Sequence, residues 1–314
     1  MESSRLRAVN VLIATDMEGI TGIDDSGDCL PSHPAAYARG RRLMTDEVLV
    51  VIEALRKGGV EQISVGDWHM VGTNIERERM PDGIEVRPIA DLALVEAEPS
   101  FTKAHGGGNL DAVVLLGHHA GTPNPRAFCS HTFIWEMEVL LDGVSLSETR
   151  VYAQGLAAEG IPVLLAAGDR WMLEELDEGE LGSARLVATK EGQGRARSRS
   201  RDLAEVRSEL AESIATALAA PQSPPPARSY PAELRIVAEG KELAKTTVSE
   251  PADLLGTIAD VFRTSQVSRE YRQLAKLLPA GNDSRLRAAQ RRLGSILATP
   301  VMRSKERNWL AASP

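Results

Sequence analysis

The chain has 314 residues, enough for one large domain or two modest ones, and its 43% hydrophobic and 25% charged residues are typical of a folded globular protein. Its net charge of −8 argues against a nucleic-acid binder and against docking on anionic lipid. With only Cys29 and Cys129, no recognisable signal peptide and no membrane-length apolar run, we expect a cytoplasmic protein that has no membrane partner.

Four short apolar runs predict the strands of a mainly parallel sheet. They are continuous rather than alternating, as in strands buried on both faces, and they cover residues 9–14, 63–65, 112–116 and 163–167. Between the first two runs, residues 35–57 place apolar side chains at helical spacing, and Gly58 and Gly59 follow as a stop signal. Strand, helix and strand together form a βαβ unit.

The middle of the chain predicts a hairpin followed by a helix. Residues 134–141 alternate loosely and lead into Asp142 and Gly143, a pair favoured in hairpin turns. Ser147 is a candidate N-cap for a helix that ends near Glu159.

The composition changes near residue 190. Residues 203–219 have an amphipathic helical pattern, and residues 221–231 contain five prolines, which indicates a linker or a rigid turn. A further strand is expected at 234–238, and charged helices at 252–262 and 274–297. We therefore predict an α/β catalytic domain over residues 1–188 and a smaller C-terminal α+β region with a helical tail over residues 189–314.

Each of the four predicted strands ends in polar residues that can bind a metal. Because ligand sites of open α/β sheets lie beyond the carboxyl ends of the strands, we expect these residues to converge at one edge. In chain order they are Asp16, Glu18, Asp67, His69, His118, His119 and Asp169, with Glu148 joining from the helix after the hairpin. Carboxylates with imidazoles suit zinc or a similar ion, and an Asp that can bridge suits a two-metal hydrolase. Any single one of them could instead be an ordinary turn or cap residue.

Residues 15–22, TDMEGITG, resemble the opening motif of the D-aminopeptidase family of zinc metallopeptidases, the dipeptide-operon type. Further similar motifs follow in the family's order, and together they cover about residues 9–240: RGRRLMTDE at 39–47, DWH at 67–69, GHHA at 117–120, SH at 130–131, SE at 147–148 and KEG at 190–192.

The resemblance implies two divalent ions, expected to be zinc, that are bridged by Asp16. It implies Glu18 and His119 as the further ligands of one ion, and His69 and Glu148 as those of the other. The resemblance also implies His119, rather than its neighbour His118, as the ligand. Strand alternation shows only that one of the two histidines should reach the metals, because adjacent strand residues point to opposite faces.

The resemblance also implies that His131 is the catalytic histidine and that the protein forms a ring-like homo-oligomer. We predict a metal-dependent aminopeptidase acting on short peptides, with D-amino-acid peptides among the candidate substrates. Two alternatives stay open: an amidase or esterase that acts on a non-peptide amide at the same site, and a metal-binding protein without activity. A Cys129–His131 nucleophilic pair is a further, less favoured hypothesis. The β-rich C-terminal segment usual in the family is not recognisable in the sequence.

Overall fold

The computed structural model describes residues 9–70, 72–88, 109–122, 124–238, 240–264, 303–304 and 306–309. Its strands are β1 (Asn10–Thr15), β2 (Gln62–Asp67), β3 (Glu85–Pro88), β4 (Ala112–His118), β5 (Met137–Leu141), β6 (Val144–Leu146), β7 (Val163–Asp169), β8 (Arg185–Gly192), β9 (Ser198–Ser200), β10 (Ala232–Ala238) and β11 (Lys241–Val248). Its helices are α1 (Pro34–Lys57), α2 (Glu148–Glu159), α3 (Arg170–Glu175), α4 (Leu203–Ala219) and α5 (Asp253–Thr264), with short 3-10 turns at Ser26–Cys29 and Arg77–Arg79.

A seven-stranded sheet in the order β3-β2-β1-β4-β7-β8-β9 forms the centre of the fold. All neighbours are parallel except β8 and β9, and every residue of β4 and β7 is buried, as their continuous apolar sequences predict. The four predicted strands and the α/β fold class are confirmed. β8 runs across residue 188, so the sheet extends to residue 200.

The predicted hairpin belongs to a second, antiparallel sheet in the order β11-β10-β5-β6. Asp142 and Gly143 form its turn with φ angles of 48° and 79°, as the Asp-Gly pair requires. β10 confirms the strand expected at 234–238. β11, which the sequence pattern did not predict, pairs with β10. The C-terminal region therefore contains β structure that is not recognisable in its sequence. Most of β11 is exposed, and its charged side chains give no apolar alternation.

Helices cover the seven-stranded sheet and complete its two cores. On one side, α1 and α4 pack their apolar residues against those of β1 and β4. On the other, α2, α5 and the four-stranded sheet share a single apolar cluster with β1 and β4. The proline-rich residues 221–231 connect α4 to β10 without a helix or strand, and the helix expected at 274–297 lies outside the described residues. Wherever the structure is described, each helix is too short or too polar to span a bilayer.

Candidate metal centre

The end of β1 turns sharply across the end of β4, which brings two carboxylates to one edge of the sheet. The amide of Asp16 donates to the carbonyl of Leu116 at 2.8 Å, and that of Gly19 donates to Gly117 O at 2.7 Å. A side chain at Gly19 would place its Cβ 2.2 Å from the carbonyl oxygen of His118, so only glycine permits this approach. The turn therefore holds Asp16 and Glu18 beside the residues that follow β4.

The first group of contacts in the site joins Asp16, Glu18 and His69. His69 Nδ1 lies 3.0 Å from Glu18 Oε2 and 3.3 Å from Asp16 Oδ1. β2 is hydrogen-bonded to β1 with Asp67 opposite Thr15, so His69 and Asp16 leave the sheet at adjacent strand ends. The predicted convergence of these two strands is thus observed.

The second group of contacts joins His119, Glu148 and His131. His119 Nε2 lies 3.2 Å from Asp16 Oδ2 and 3.6 Å from Glu148 Oε1, and His131 Nε2 lies 3.8 Å from the same Glu148 oxygen. The His119 and His131 rings stack with centroids 4.1 Å apart. Asp16 therefore contacts histidines of both groups, the position that a bridging carboxylate requires.

Two sets of side chains offer donor atoms close enough to share an ion. In each set, one donor atom from every residue lies within 4.8 Å of the others. The sets are Asp16, Glu18 and His119, and His119, His131 and Glu148. The first set matches one of the predicted ligand groups. In the structure His69 lies against Glu18 and Asp16, whereas Glu148 lies between His119 and His131. How the ligands divide between two ions stays a prediction.

Each histidine of the site has one ring nitrogen on a backbone carbonyl. His69 Nε2 is 2.8 Å from Cys29 O, His119 Nδ1 is 3.0 Å from Ala120 O, and His131 Nδ1 is 2.7 Å from Cys129 O. A carbonyl only accepts, so that nitrogen carries a proton and the opposite nitrogen faces the carboxylates. This is the arrangement by which proteins fix the tautomer of metal-binding histidines.

The charge balance of the site fits a cation. Asp16, Glu18 and Glu148 are buried, and in the described part of the chain their ion-pair partners are histidines alone. Burial opposes ionisation of Asp16, but hydrogen bonds from His119 and His69 hold the pKa of Asp16 well below its ordinary value. A metal ion would stabilise buried carboxylates whose ion-pair partners are histidines alone, and the mixture of oxygen and imidazole donors suits zinc.

The same carboxylates raise the pKa values of two of the histidines. Burial lowers the pKa of both His69 and His119, yet the charges and hydrogen bonds of the neighbouring carboxylates outweigh it and raise both pKa values well above the ordinary one. Burial, with His119 nearby, lowers the pKa of His131 to about 4, so this ring is neutral at neutral pH. Burial raises the pKa of Glu148 to about 7.

Three residues near the site have structural contacts instead. His118 points to the opposite face, as expected: its Nε2 lies 3.2 Å from Ala14 O and its ring packs edge-on against Trp68. Asp169 caps α3 and accepts the amides of Phe128 and Gly192. It is therefore an ordinary cap residue, the alternative to a metal ligand. The Cys129 thiol donates to Arg195 O, and only its carbonyl faces His131, so the nucleophilic pair is not formed.

Two residues that support the site were given no role in the sequence analysis. Tyr152, one helical turn after Glu148 on α2, places its hydroxyl 3.4 Å from Glu148 Oε2, while the amide of Phe133 donates to Oε1 at 2.7 Å. Lys190 is buried, and its Nζ donates to Glu18 O at 2.7 Å. The i, i+4 spacing of Glu148 and Tyr152 was a readable signal for the first, whereas the Lys190 contact joins residues far apart in sequence.

The comparisons with known proteins identify the family and a similar fold. A model of peptidase family M55, described as D-aminopeptidase, matches residues 9–273. A curated D-aminopeptidase of Bacillus subtilis (strain 168) is 27% identical over 172 residues, which cover 54% of this chain and 60% of that protein. The solved structure of a Zn-dependent D-aminopeptidase from Bacillus subtilis, described as a self-compartmentalizing protease, superposes with a TM-score of 0.68 at 20% identity, covering 80% of this chain and 96% of the other.

Proposed function

The chain belongs to the D-aminopeptidase family, and we propose that it is a zinc-dependent aminopeptidase that removes the N-terminal residue of short peptides, with D-amino-acid peptides as the first substrates to test. The observation that carries the proposal is the cluster of three buried carboxylates and three buried or nearly buried imidazoles at the carboxyl edge of the parallel sheet. The Bacillus subtilis relatives support both the peptide substrate and the metal.

The proposed ligands are Asp16, Glu18, His69, His119 and Glu148, with Asp16 as the bridge. When bound, two divalent ions polarise the scissile carbonyl and lower the pKa of the attacking water. The chain's own part is to hold its imidazole nitrogens toward the site, two of them against carboxylates, and to exclude water. Each of these five side chains is buried, which strengthens the electrostatic interactions among them.

His131 is the proposed proton carrier. Its Nδ1–H is committed to Cys129 O, which leaves Nε2 free on the side of Glu148. Because the pKa of His131 is lowered to about 4, Nε2 is unprotonated at neutral pH and accepts a proton. The same atom then returns the proton to the leaving amine. A ring that donates one nitrogen to the backbone and keeps the other free is oriented for this transfer.

We also propose a cytoplasmic homo-oligomer. The described cysteines, Cys29 and Cys129, are free, which fits a reducing compartment. The structural relative is described as self-compartmentalizing, which fits a ring of subunits around the sites. Light scattering coupled to size-exclusion chromatography measures the subunit number, and a monomer at micromolar concentration would contradict the oligomer.

The activity is tested with the purified chain, first stripped of metal and then loaded with zinc. Release of the free N-terminal amino acid is measured for matched D,D- and L,L-dipeptides and for simple aryl and alkyl amides. We expect zinc-dependent release from dipeptides, with the D series preferred. Turnover of the non-peptide amides alone would point to the amidase alternative. No turnover of any substrate by the zinc-loaded protein would reject the enzyme.

A further inference from the structure

A short segment near residue 306 lies across two loops of the metal centre. We call it the strap: Arg303, Ser304 and Glu306, Arg307, Asn308 and Trp309. Within it, Glu306 and Trp309 are buried, with relative exposures of 7% and 1%. The family model matches residues 9–273 and ends before the strap begins, so the strap is an addition to the region that carries the family's chemistry.

One end of the strap holds the loop formed by residues 29–33. The guanidinium of Arg303 donates to Ser32 O at 3.1 Å, and the Glu306 carboxylate lies 3.0 Å from His33 Nε2. This loop begins with Cys29, whose carbonyl contacts His69 Nε2 at 2.8 Å. The strap is therefore attached to the loop that orients His69.

The other end holds the loop formed by residues 129–135. Trp309 stacks on Trp135 with ring centroids 5.2 Å apart and an angle of 10° between the rings. Arg195 fixes Trp309 from a third side, because its Nη1 donates to Trp309 O at 2.9 Å and its guanidinium lies over the Trp309 ring. The backbone of Arg195 accepts the amide of Cys129 at 3.1 Å, and the carbonyl of Cys129 orients His131.

We propose that the strap positions His69 and His131 by clamping these two loops against each other, with Trp309 and Glu306 as its positioning residues. Neither residue touches the carboxylates of the site, so the strap sets the orientation of the imidazoles rather than the chemistry itself. A large buried aromatic ring is well suited to this, since it makes many contacts while ordering few torsions. Loop 129–135 needs such support, because Cys129 and Phe133 have left-handed backbone conformations, with φ of 49° and 64°.

The inference rests on the proposed function for its catalytic readout but has a second readout in zinc binding. The variants are Trp309→Ala, the conservative Trp309→Phe, and Glu306→Lys, which reverses the charge facing His33. The control is Glu242→Gln, which removes a carboxylate from the exposed pair with Arg235, 3.0 Å away between two strands of the second sheet. For each full-length protein we measure kcat and KM on a D,D-dipeptide, zinc affinity by competition with a chromogenic chelator, and Tm.

Trp309→Ala is expected to lower kcat and to weaken zinc binding by about 10–100-fold each, the usual cost of losing a partner that orients a ligand. Trp309→Phe should retain most of the wild-type kcat and zinc affinity. Glu306→Lys should lower both, as Trp309→Ala does, and Glu242→Gln should change neither. If Trp309→Ala does not fold, Glu306→Lys provides the test.

Unchanged kcat and zinc affinity in Glu306→Lys and in a folded Trp309→Ala, with only Tm lowered, would show that the strap is structural and would overturn the proposal. If the wild-type protein binds zinc but cleaves no peptide, the proposed function fails while the zinc affinities still test the strap. The two failures are therefore distinguishable.

Discussion

The metal centre is built from two halves that are held in different ways. Asp16, His69 and His119 follow the ends of β1, β2 and β4, and parallel hydrogen bonding fixes the relative positions of those ends. His131 lies in the loop of residues 129–135, and its ring is oriented by a carbonyl contact at 2.7 Å and by stacking on His119. Strand ends are placed by the whole sheet, whereas a loop residue depends on its immediate neighbours.

This difference separates metal binding from proton transfer. The strand-end half has carboxylates and raised histidine pKa values, which suit a cation. The loop half has an imidazole that is neutral at neutral pH and has a free Nε2. We therefore expect substitutions of the strand-end ligands to remove metal and activity together, and substitution of the His131 imidazole itself to reduce activity with metal retained.

Asp16→Ala should have the largest effect. Asp16 contacts both His69 and His119, so its removal deprives both proposed ion positions of a ligand. We expect the loss of both zinc ions and a fall in kcat/KM greater than the roughly 10⁴-fold upper range of a single acid–base group. Elemental analysis and peptide hydrolysis measure the two quantities. A variant that keeps two ions per chain would show that Asp16 is an ordinary turn residue.

His131→Ala should lower kcat by about 10²–10⁴-fold, the usual contribution of a positioned acid or base, and should leave the zinc content near that of the wild type. His119→Ala serves as the matched comparison, because its ring stacks on His131 yet contacts Asp16, and it should lose metal. Loss of metal from His131→Ala would make His131 a ligand and would remove the distinction between the two halves.

The same difference explains how much could be predicted from the sequence. Asp16, His69 and His119 follow apolar runs that read as parallel strands, so their meeting at one edge could be predicted without any long-range information. Glu148 was expected from the helix that follows the hairpin, and its Oε1 lies 3.6 Å from His119 Nε2. The role of His131 required a family resemblance, since nothing in its local pattern places a loop residue in space.

Other contacts could not be predicted because they join residues that lie far apart in the sequence. Lys190 reaches the carbonyl of Glu18, and Trp309 reaches Trp135 across most of the chain. β11 was missed for a different reason, since an exposed edge strand rich in Lys, Glu and Thr has no apolar alternation for a pattern to detect. Its position is set by pairing with β10.

The strand-end half should also make zinc binding depend on pH. In the metal-free protein the pKa values of His69 and His119 are well above the ordinary value, so both rings are protonated at neutral pH, whereas a ligand nitrogen must be free of its proton. Zinc affinity should therefore fall as the pH falls, by about tenfold per pH unit for each proton released. Calorimetry in two buffers of different ionisation enthalpy counts the protons. An affinity that is constant between pH 6 and 8 would contradict the charge balance proposed for the site.

Asp67→Ala should have a smaller effect, although Asp67 lies at the end of β2. It accepts the amide of Ile75 at 2.9 Å and the side-chain amide of Asn74 at 2.7 Å, and the same Asn74 amide donates to His69 O at 2.6 Å. It holds the turn that carries His69 rather than the imidazole itself. We expect zinc affinity and kcat to fall by about 10–100-fold, the range for a group behind a ligand. A loss as complete as that of Asp16→Ala would make Asp67 a ligand.

Tyr152→Phe should have the smallest effect and tests how Glu148 is shared between the halves. Glu148 Oε1 accepts the amide of Phe133 in the loop at 2.7 Å, whereas Oε2 has the Tyr152 hydroxyl at 3.4 Å. The longer contact is the weaker one, so zinc affinity should fall by only about 2–10-fold, the range of one ordinary hydrogen bond. Tyr230→Phe is the matched control, because it removes a hydroxyl 3.3 Å from Gln154 in the middle of α2 and should leave zinc affinity unchanged. A larger loss in Tyr152→Phe would mean that the helix, and not the loop, orients Glu148, and the carboxylate would then belong to the half of the site that regular structure holds in place.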